Sequence, residues 1–203
     1  MAVVPSAPAL LPEYVGRDDL VAALRDRATD AVRSVCREAD AVVLVTATDR
    51  SPRSARVPLG RRVGEELLAR AAVAGPVDAV EVAWDATPGR CLELGRSLAS
   101  RPGGLALVVV ADGSARRSKK APGHLDSRSF AVDEAIVRGL SSPDPTALAG
   151  LDAALCGDLL VGGRAPLQVL AGAFGEGSAY ETVRCEVEDP FGVLYAVAEL
   201  RAR

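Results

Sequence analysis

Two hydrophobic rhythms alternate along the chain. Residues 2–4 are a short apolar run stopped by Pro5, the pattern of a buried strand, and Pro5-Ser6-Ala7-Pro8 continues as a stiff loop. From Asp18 to Ala39 the apolar residues Leu20, Leu24, Ala28, Val32 and Val35 recur every three to four positions. That spacing predicts one face of a helix, capped by Asp18 or Asp19. Ala41 to Thr46 is continuous and rich in β-branched residues, so it reads as a strand covered on both faces. Residues 47–58 are polar and broken by proline, which predicts a loop. Helix is then expected over 60–73, strand over 77–83, and helix over 89–101 through Leu92, Leu94 and Leu98. Residues 105–111 form the most apolar strand of all, and a polar loop follows from Asp112 to about Ser127. Helical patterns occupy 129–140, 145–160 and 165–174. After a break at Gly175-Glu-Gly-Ser, strands over 180–187 and 192–200 flank a turn at Asp189-Pro190, which reads as a hairpin.

Strand and helix alternating through the first 140 residues imply an α/β fold. The expectation is a single three-layer domain over 1–203, with a mainly parallel sheet, helices on both faces and a C-terminal antiparallel hairpin. Strands near 2–4, 41–46, 77–83 and 105–111 should be parallel in one sheet, joined by right-handed crossovers. At 203 residues, 49% of them hydrophobic and 25% charged, the chain can bury a core without staples. No apolar run reaches the ~18 residues that suggest a membrane span. The balance of 24 basic and 27 acidic residues carries no nucleic-acid signature. Ligands of open α/β sheets bind beyond the carboxyl ends of the strands, which selects the loops at 5–12, 46–58, 84–90 and 112–127.

Rare residues narrow the chemistry. His124 is the one histidine, Ile136 the one isoleucine, and asparagine is absent; only Lys119 and Lys120 among the basic residues are lysines. Lys, Asn and Ile have AT-rich codons, so this usage points to a GC-rich bacterial genome, and abundant arginine is in part mutational. One histidine cannot supply a three-histidine or His₂Glu zinc site, nor the two-histidine, one-carboxylate iron triad. No resident metal is therefore expected. Cys36, Cys91, Cys156 and Cys185 contain no C-x-x-C pair and read as buried free thiols of a reducing cytosol. Met1 to Pro5 lacks a basic segment ahead of an apolar one, so a cytoplasmic location is expected.

Phosphate-binding and hydrolase motifs are missing. There is no G-x-x-x-x-G-K-[ST] and no G-x-S-x-G, and Gly175-Glu-Gly177-Ser-Ala-Tyr180 departs from G-x-G-x-x-G at its last position. The densest polar feature is Asp112-Gly-Ser-Ala-Arg-Arg-Ser-Lys-Lys-Ala-Pro-Gly-His-Leu-Asp126. Arg116, Arg117, Lys119 and Lys120 could hold a small anion there. Ser114 or Ser118 with His124 and Asp112 or Asp126 could form a nucleophilic system. The plainer alternatives are a solvated loop and a structurally hydrogen-bonded His124. Trp84-Asp85 could line the same crevice or simply pack.

Three stretches carry a family resemblance: Val3-Val-Pro-Ser-Ala-Pro-Ala-Leu-Leu-Pro12, Val109 to Asp126, and Leu159-Leu-Val-Gly-Gly-Arg-Ala-Pro-Leu-Gln-Val-Leu-Ala-Gly-Ala173. They resemble a small actinobacterial family grouped with the class III extradiol ring-cleavage dioxygenases, the LigB-type B-subunit superfamily. The resemblance implies an α/β fold with a strand-end pocket, and active members hold non-haem Fe(II) with two histidines and a glutamate. Ser6 stands where the first histidine is expected, after the first strand. The second is expected after the second strand, where Thr46 to Arg50 offers only Asp49. A catalytic histidine is expected after a serine, and here Ala115 follows Ser114. Glu181, Glu186 and Glu188 are the regional candidates for the glutamate. The resemblance therefore implies a metal-free pseudoenzyme with no cofactor, binding a small anionic ligand or a partner subunit in homo- or hetero-oligomers. Its ligand-binding candidates are Ser6, Asp49, Asp112, Ser114, Arg116, Arg117 and His124. The alternatives are an active Fe(II) dioxygenase, a hydrolase or transferase working through Ser114 and His124, and a purely structural or interaction protein.

Overall fold

The computed structural model describes residues 1–16, 18–50, 57–142, 144–174 and 180–202, so the break at 175–178 and part of the 47–58 loop lie outside the described residues. One six-stranded sheet organises the chain, in the order β3-β2-β4-β1-β6-β5. Its strands are β1 (Ala2–Val4), β2 (Ala41–Ala47), β3 (Val77–Val82), β4 (Leu105–Val110), β5 (Tyr180–Glu188) and β6 (Tyr195–Ala202). The first four are mutually parallel, with Val43 beside Leu107 and Val3 beside Val109. β6 runs antiparallel to β1, and β5 antiparallel to β6. This is the α/β architecture expected from the alternating pattern, hairpin included.

The helices are α1 (Ala22–Cys36), α2 (Leu59–Arg70), α3 (Pro88–Ala99), α4 (Arg128–Ser141), α5 (Pro145–Ala149), α6 (Ala153–Asp158) and α7 (Arg164–Ala173). α1 and α2, which carry the chain from β1 to β2 to β3 in one direction across the sheet, pack on one face. α3, which brings it back from β3 to β4, packs on the other with α4 to α7. Opposite directions on opposite faces are what a constant crossover hand requires.

The unbroken apolar strands follow from this layering. Val43, Val45, Leu107 and Val109 point into the core under α3 to α7, while Val42, Leu44, Ala106, Val108 and Val110 point toward α1 and α2. α3 and α7 touch backbone to backbone. A β-carbon on Gly95 would come within 2.0 Å of the Val169 carbonyl oxygen, and one on Gly172 within 2.2 Å of that of Leu92.

Helices α1 and α2 end three residues earlier than expected, at Cys36 and Arg70, and three further differences have a visible cause. α1 starts at Ala22, leaving Leu20 77% exposed in the turn ahead of it, because Asp19 accepts the Val21 N–H and pairs with Arg25 instead of capping an earlier turn. The helix expected over 145–160 is two short helices, since Asp144 and Asp152 each accept an N–H and start a new one. The last strand begins at Tyr195, because Leu194 exchanges hydrogen bonds with Gly113 and Ser114. Among the described residues no helix is long and apolar enough to cross a membrane.

Candidate functional site

The carboxyl ends of the parallel strands diverge at the middle of the sheet. The chain leaving β2 rises to α2 on one face, and the chain leaving β4 runs to α4 on the other. Such a reversal opens a crevice. Here it is a cavity of about 200 Å³. Ser6 enters it from beyond β1, Thr48, Asp49 and Arg50 from beyond β2, Trp84 from beyond β3, and Val110 and Asp112 from the end of β4. Leu59 and Gly60 of the first turn of α2 form one wall, and Val161 and Gly162, just ahead of α7, another. Ligand pockets for drug-sized molecules typically span ~300–1,000 Å³. This one suits something more compact.

Hydrogen bonds hold the crevice open. Asp112 Oδ1 accepts the Ser6 N–H at 2.7 Å, tying β4 to the loop after β1. Burial pushes the Asp112 carboxyl up to about 7, even though that N–H favours the carboxylate. The phenol of Tyr195, whose backbone bridges to Asp112, is raised by burial and then by the same carboxyl. Asp49 Oδ1 accepts the Leu59 N–H at 3.2 Å and so caps α2. Thr48 Oγ1 accepts the Trp84 N–H at 3.2 Å. The Arg50 guanidinium lies 4.5 Å over the Trp84 ring and donates to the Gly157 carbonyl at 2.7 Å. Gly163 must be glycine for α7 to reach this end of the sheet. A β-carbon there would come within 2.5 Å of the Asp112 carbonyl oxygen, which accepts the Gly163 N–H. Thr46, 1% exposed, keeps a hydroxyl with no hydrogen-bond partner among the described residues.

Of the residues singled out from sequence, Ser6, Asp49 and Asp112 converge in this crevice; Ser114, Arg116, Arg117 and His124 do not line it. The Ser114 hydroxyl is fully buried, donates to the Leu159 carbonyl at 2.7 Å and accepts the Arg116 N–H at 3.1 Å. It is a structural strut, not an exposed nucleophile. Arg116 donates to the Gly123 carbonyl at 2.7 Å and stands 3.6 Å from Asp126. Arg117 is clamped between Asp133 and Asp189, 2.8 Å from each, and stacks 5.0 Å from the Phe130 ring. Burial raises the Asp133 carboxyl, although the Ser114 N–H and Arg117 both favour its charge. Both guanidinium groups thus meet the protein's own acceptors, and the expected anion site on them is corrected accordingly. Lys119, Lys120 and His124 are exposed, and His124 occupies a turn with φ of 58°. Asp126 is held at about 2, chiefly by Arg128. Trp84 does line the crevice, and exposed Asp85 does not. Val161, Gly162 and Gly60 also line it, though none of them was singled out as a site residue; the only signal at hand was a glycine pair ahead of a helix within the Leu159–Ala173 stretch.

The donors present do not fit the iron site that the dioxygenase resemblance implies. The crevice offers no imidazole; Asp49 and Asp112 each already accept a backbone N–H, and Glu181, Glu186 and Glu188 belong to the outermost strand, away from it. Among the described residues no three His, Cys, Asp or Glu side chains are grouped to hold an ion. The four cysteines are free thiols, and burial raises all four, Cys36 and Cys156 to about 11, which removes nucleophilic character.

A larger cavity, about 650 Å³, opens at the opposite end of the sheet, among Arg37, Arg101, Glu199 and the closing turns of α1, α3 and α7. There Glu199 accepts from Ser34 at 2.7 Å and lies 3.5 Å from Arg201, and Arg101 meets Asp78 at 2.8 Å. No family model matches the chain, and no curated protein is significantly similar to it.

Proposed function

We propose that this is a metal-independent small-ligand-binding protein, in the terms of the resemblance a degenerate member of the ring-cleavage dioxygenase class, whose strand-end crevice takes a compact polar ligand. The observation that carries this reading is the convergence of Ser6, Thr48, Asp49, Arg50 and Asp112, from the ends of three parallel strands, on one cavity at the point where the connections reverse. A loop nucleophile is not part of it, since Ser114 is sealed in and its hydroxyl is satisfied.

The test is a thermal-shift screen of compact anionic, cationic and neutral metabolites against the wild type and Gly162→Leu. A β-carbon at Gly162 would meet no other atom within 4 Å, so a bulky side chain can leave the backbone there freely at the crevice wall. A ligand that stabilises the wild type and not Gly162→Leu is the expected result. Equal stabilisation of both, or no stabilising ligand in the panel, overturns the reading.

A further inference from the structure

The two outer edges of the sheet are not alike. β3 closes one side and β5 the other, and each has a single neighbouring strand. The charged residues of β3, Asp78 and Glu81, are both acidic and already meet Arg101 and Arg61. Charge of one sign along an edge discourages a second chain from pairing with it. The centre of β5 instead reads Val183-Arg184-Cys185-Glu186-Val187. About Cys185 this segment is symmetric in apolar residues and antisymmetric in charge. Val183 and Val187 are 49% and 46% exposed, although β-branched apolar residues gain from packing against a neighbouring strand.

The hydrogen-bond ladder shows which backbone groups face the free edge. Met1 exchanges hydrogen bonds with Leu200 on the β1 side of β6. Successive residues of a strand turn their N–H and C=O to opposite sides, so Glu199 and Val197 turn theirs toward β5. Arg184 and Glu186 stand opposite them and bond inward. Cys185 and Val187 therefore turn their N–H and C=O outward, and among the described residues no group bonds to them from that side. The side chains follow the same alternation. Glu186 meets Arg27 of α1 at 3.2 Å, whereas Cys185 packs against the core under α3 to α7. Arg184 is not committed within its own chain. It stands 3.9 Å from Glu199 and 4.0 Å from Glu186, too far for hydrogen bonds, and its Nε has no partner among the described residues.

We propose that β5 pairs antiparallel with β5 of a second copy of this chain, about a twofold axis at Cys185, joining the two sheets into one. In that register the two Cys185 residues exchange N–H and C=O hydrogen bonds. Arg184 of each copy stands opposite Glu186 of the other, Val183 opposite Val187, and Thr182 opposite Glu188. Unlike charges directly opposite one another stabilise a strand pair and like charges oppose it. The neighbouring registers fail on that ground. A twofold at Arg184 sets the two arginines face to face, one at Glu186 sets the two glutamates face to face, and one at Val187 sets Glu186 against Glu188. Because the same patch serves both copies, the contact closes at the dimer. The bulge between Thr182 and Arg184 limits the ladder to the centre of β5. A single strand pairing covers less than the ~1,200–2,000 Å² of a standard stable interface, so the dimer should dissociate in the micromolar range.

Sedimentation velocity of the full chain tests this, at loading concentrations from about 5 to about 300 μM, a range that brackets a micromolar equilibrium. Wild type should pass from monomer to dimer. Arg184→Glu and Glu186→Arg each set two like-charge pairs across the twofold, so each alone should dimerise at least about tenfold more weakly. An equimolar mixture of the two should dimerise again, because every facing pair in the mixed dimer is then unlike. A purely structural role for either residue within its own chain would give no such rescue. Copper phenanthroline should cross-link wild type through Cys185, since the Cα atoms of a hydrogen-bonded antiparallel pair, ~5.5 Å apart, lie within disulfide reach. Cys185→Ser should remove the cross-link and keep the dimer. Should Arg184→Glu fail to fold beside Glu199, as read by its urea midpoint, Glu186→Arg and Val187→Lys carry the test, and both should remain monomeric. A wild type that is monomeric throughout, assemblies larger than a dimer, folded variants that dimerise like wild type, a mixture of folded variants that is not rescued, or a cross-link that survives Cys185→Ser would each overturn the proposal.

Discussion

The polar loop at 113–127 and the crevice beside it share a border at Asp112 but are built on opposite terms. In the loop, nearly every conspicuous group already has a partner within the protein. Ser114 binds the Leu159 carbonyl, Arg116 the Gly123 carbonyl, and Arg117 two carboxylates and an aromatic face. At the crevice, by contrast, the glycine Gly60 leaves room that alanine would fill, and burial raises the Asp112 carboxyl to about 7; next to it the Thr46 hydroxyl has no partner among the described residues. Satisfied polarity builds structure, and polarity left unsatisfied in a concave place is available to a ligand. The charge-rich loop thus braces the end of β4 beside the crevice. Its Gly113 and Ser114 extend the pairing of β4 onto the 192–194 segment, and Arg117 N donates to the Gly192 carbonyl.

This contrast can be broken most forcefully at Asp133. Its carboxylate is 2% exposed, holds Arg117 at 2.8 Å and accepts the Ser114 N–H at 2.8 Å. Removing one member of a buried pair costs ~3–5 kcal/mol. Because Arg117 retains Asp189, Asp133→Ala should lose about 3 kcal/mol, measured as a lower urea midpoint. The strut reading fails if stability is unchanged while ligand binding disappears.

A smaller effect of opposite sign is expected at Asp112. Its folded value, about 7, lies above the ordinary carboxylate value of 3.8, so the folded state holds a proton that the unfolded chain has released between those limits. Stability from this group is therefore present at low pH, declines as pH rises from 4 to 7, and then levels off. The full shift corresponds to ~4 kcal/mol, and water entering the crevice should reduce it to about 2 kcal/mol. Asp112→Asn keeps an acceptor for the Ser6 N–H, so it should flatten this slope and be the more stable protein above pH 7, by about 2 kcal/mol in urea titrations across pH. A slope unchanged by the substitution would place the proton elsewhere.

Smallest of all is the response at Lys119 and Lys120, the exposed cations of the loop. The double alanine variant should change stability by less than about 0.5 kcal/mol and leave ligand binding intact. Weakened binding in that variant would extend the site onto the loop after all.

Most of the fold was legible in the chain because burial writes itself into periodicity. Val42 to Val45 and Ala106 to Val110 are apolar at every position because helices cover both faces of β2 and β4, and the hairpin announced itself at Asp189-Pro190. Errors fell where a local hydrogen bond competes with the pattern, as at Asp19 and Asp152. The site was half legible. Topology selected the loops that contribute Ser6, Asp49, Arg50, Trp84 and Asp112, whereas charge density drew attention to Arg116 and Arg117.

What the chain by itself determined is the alternation of strand and helix, the parallel sheet, and which loops lie at its carboxyl edge, since each depends on residues close in sequence and on the 2.0 and 3.6 periods. Only the tertiary structure decided which polar groups in those loops are already satisfied. Arg117 is closed off by Asp133 and Asp189, sixteen and seventy-two residues away, while the Thr46 hydroxyl beneath Gly60 has no partner among the described residues. Whether a side chain has a partner depends on residues that folding brings from elsewhere, and no local pattern records it.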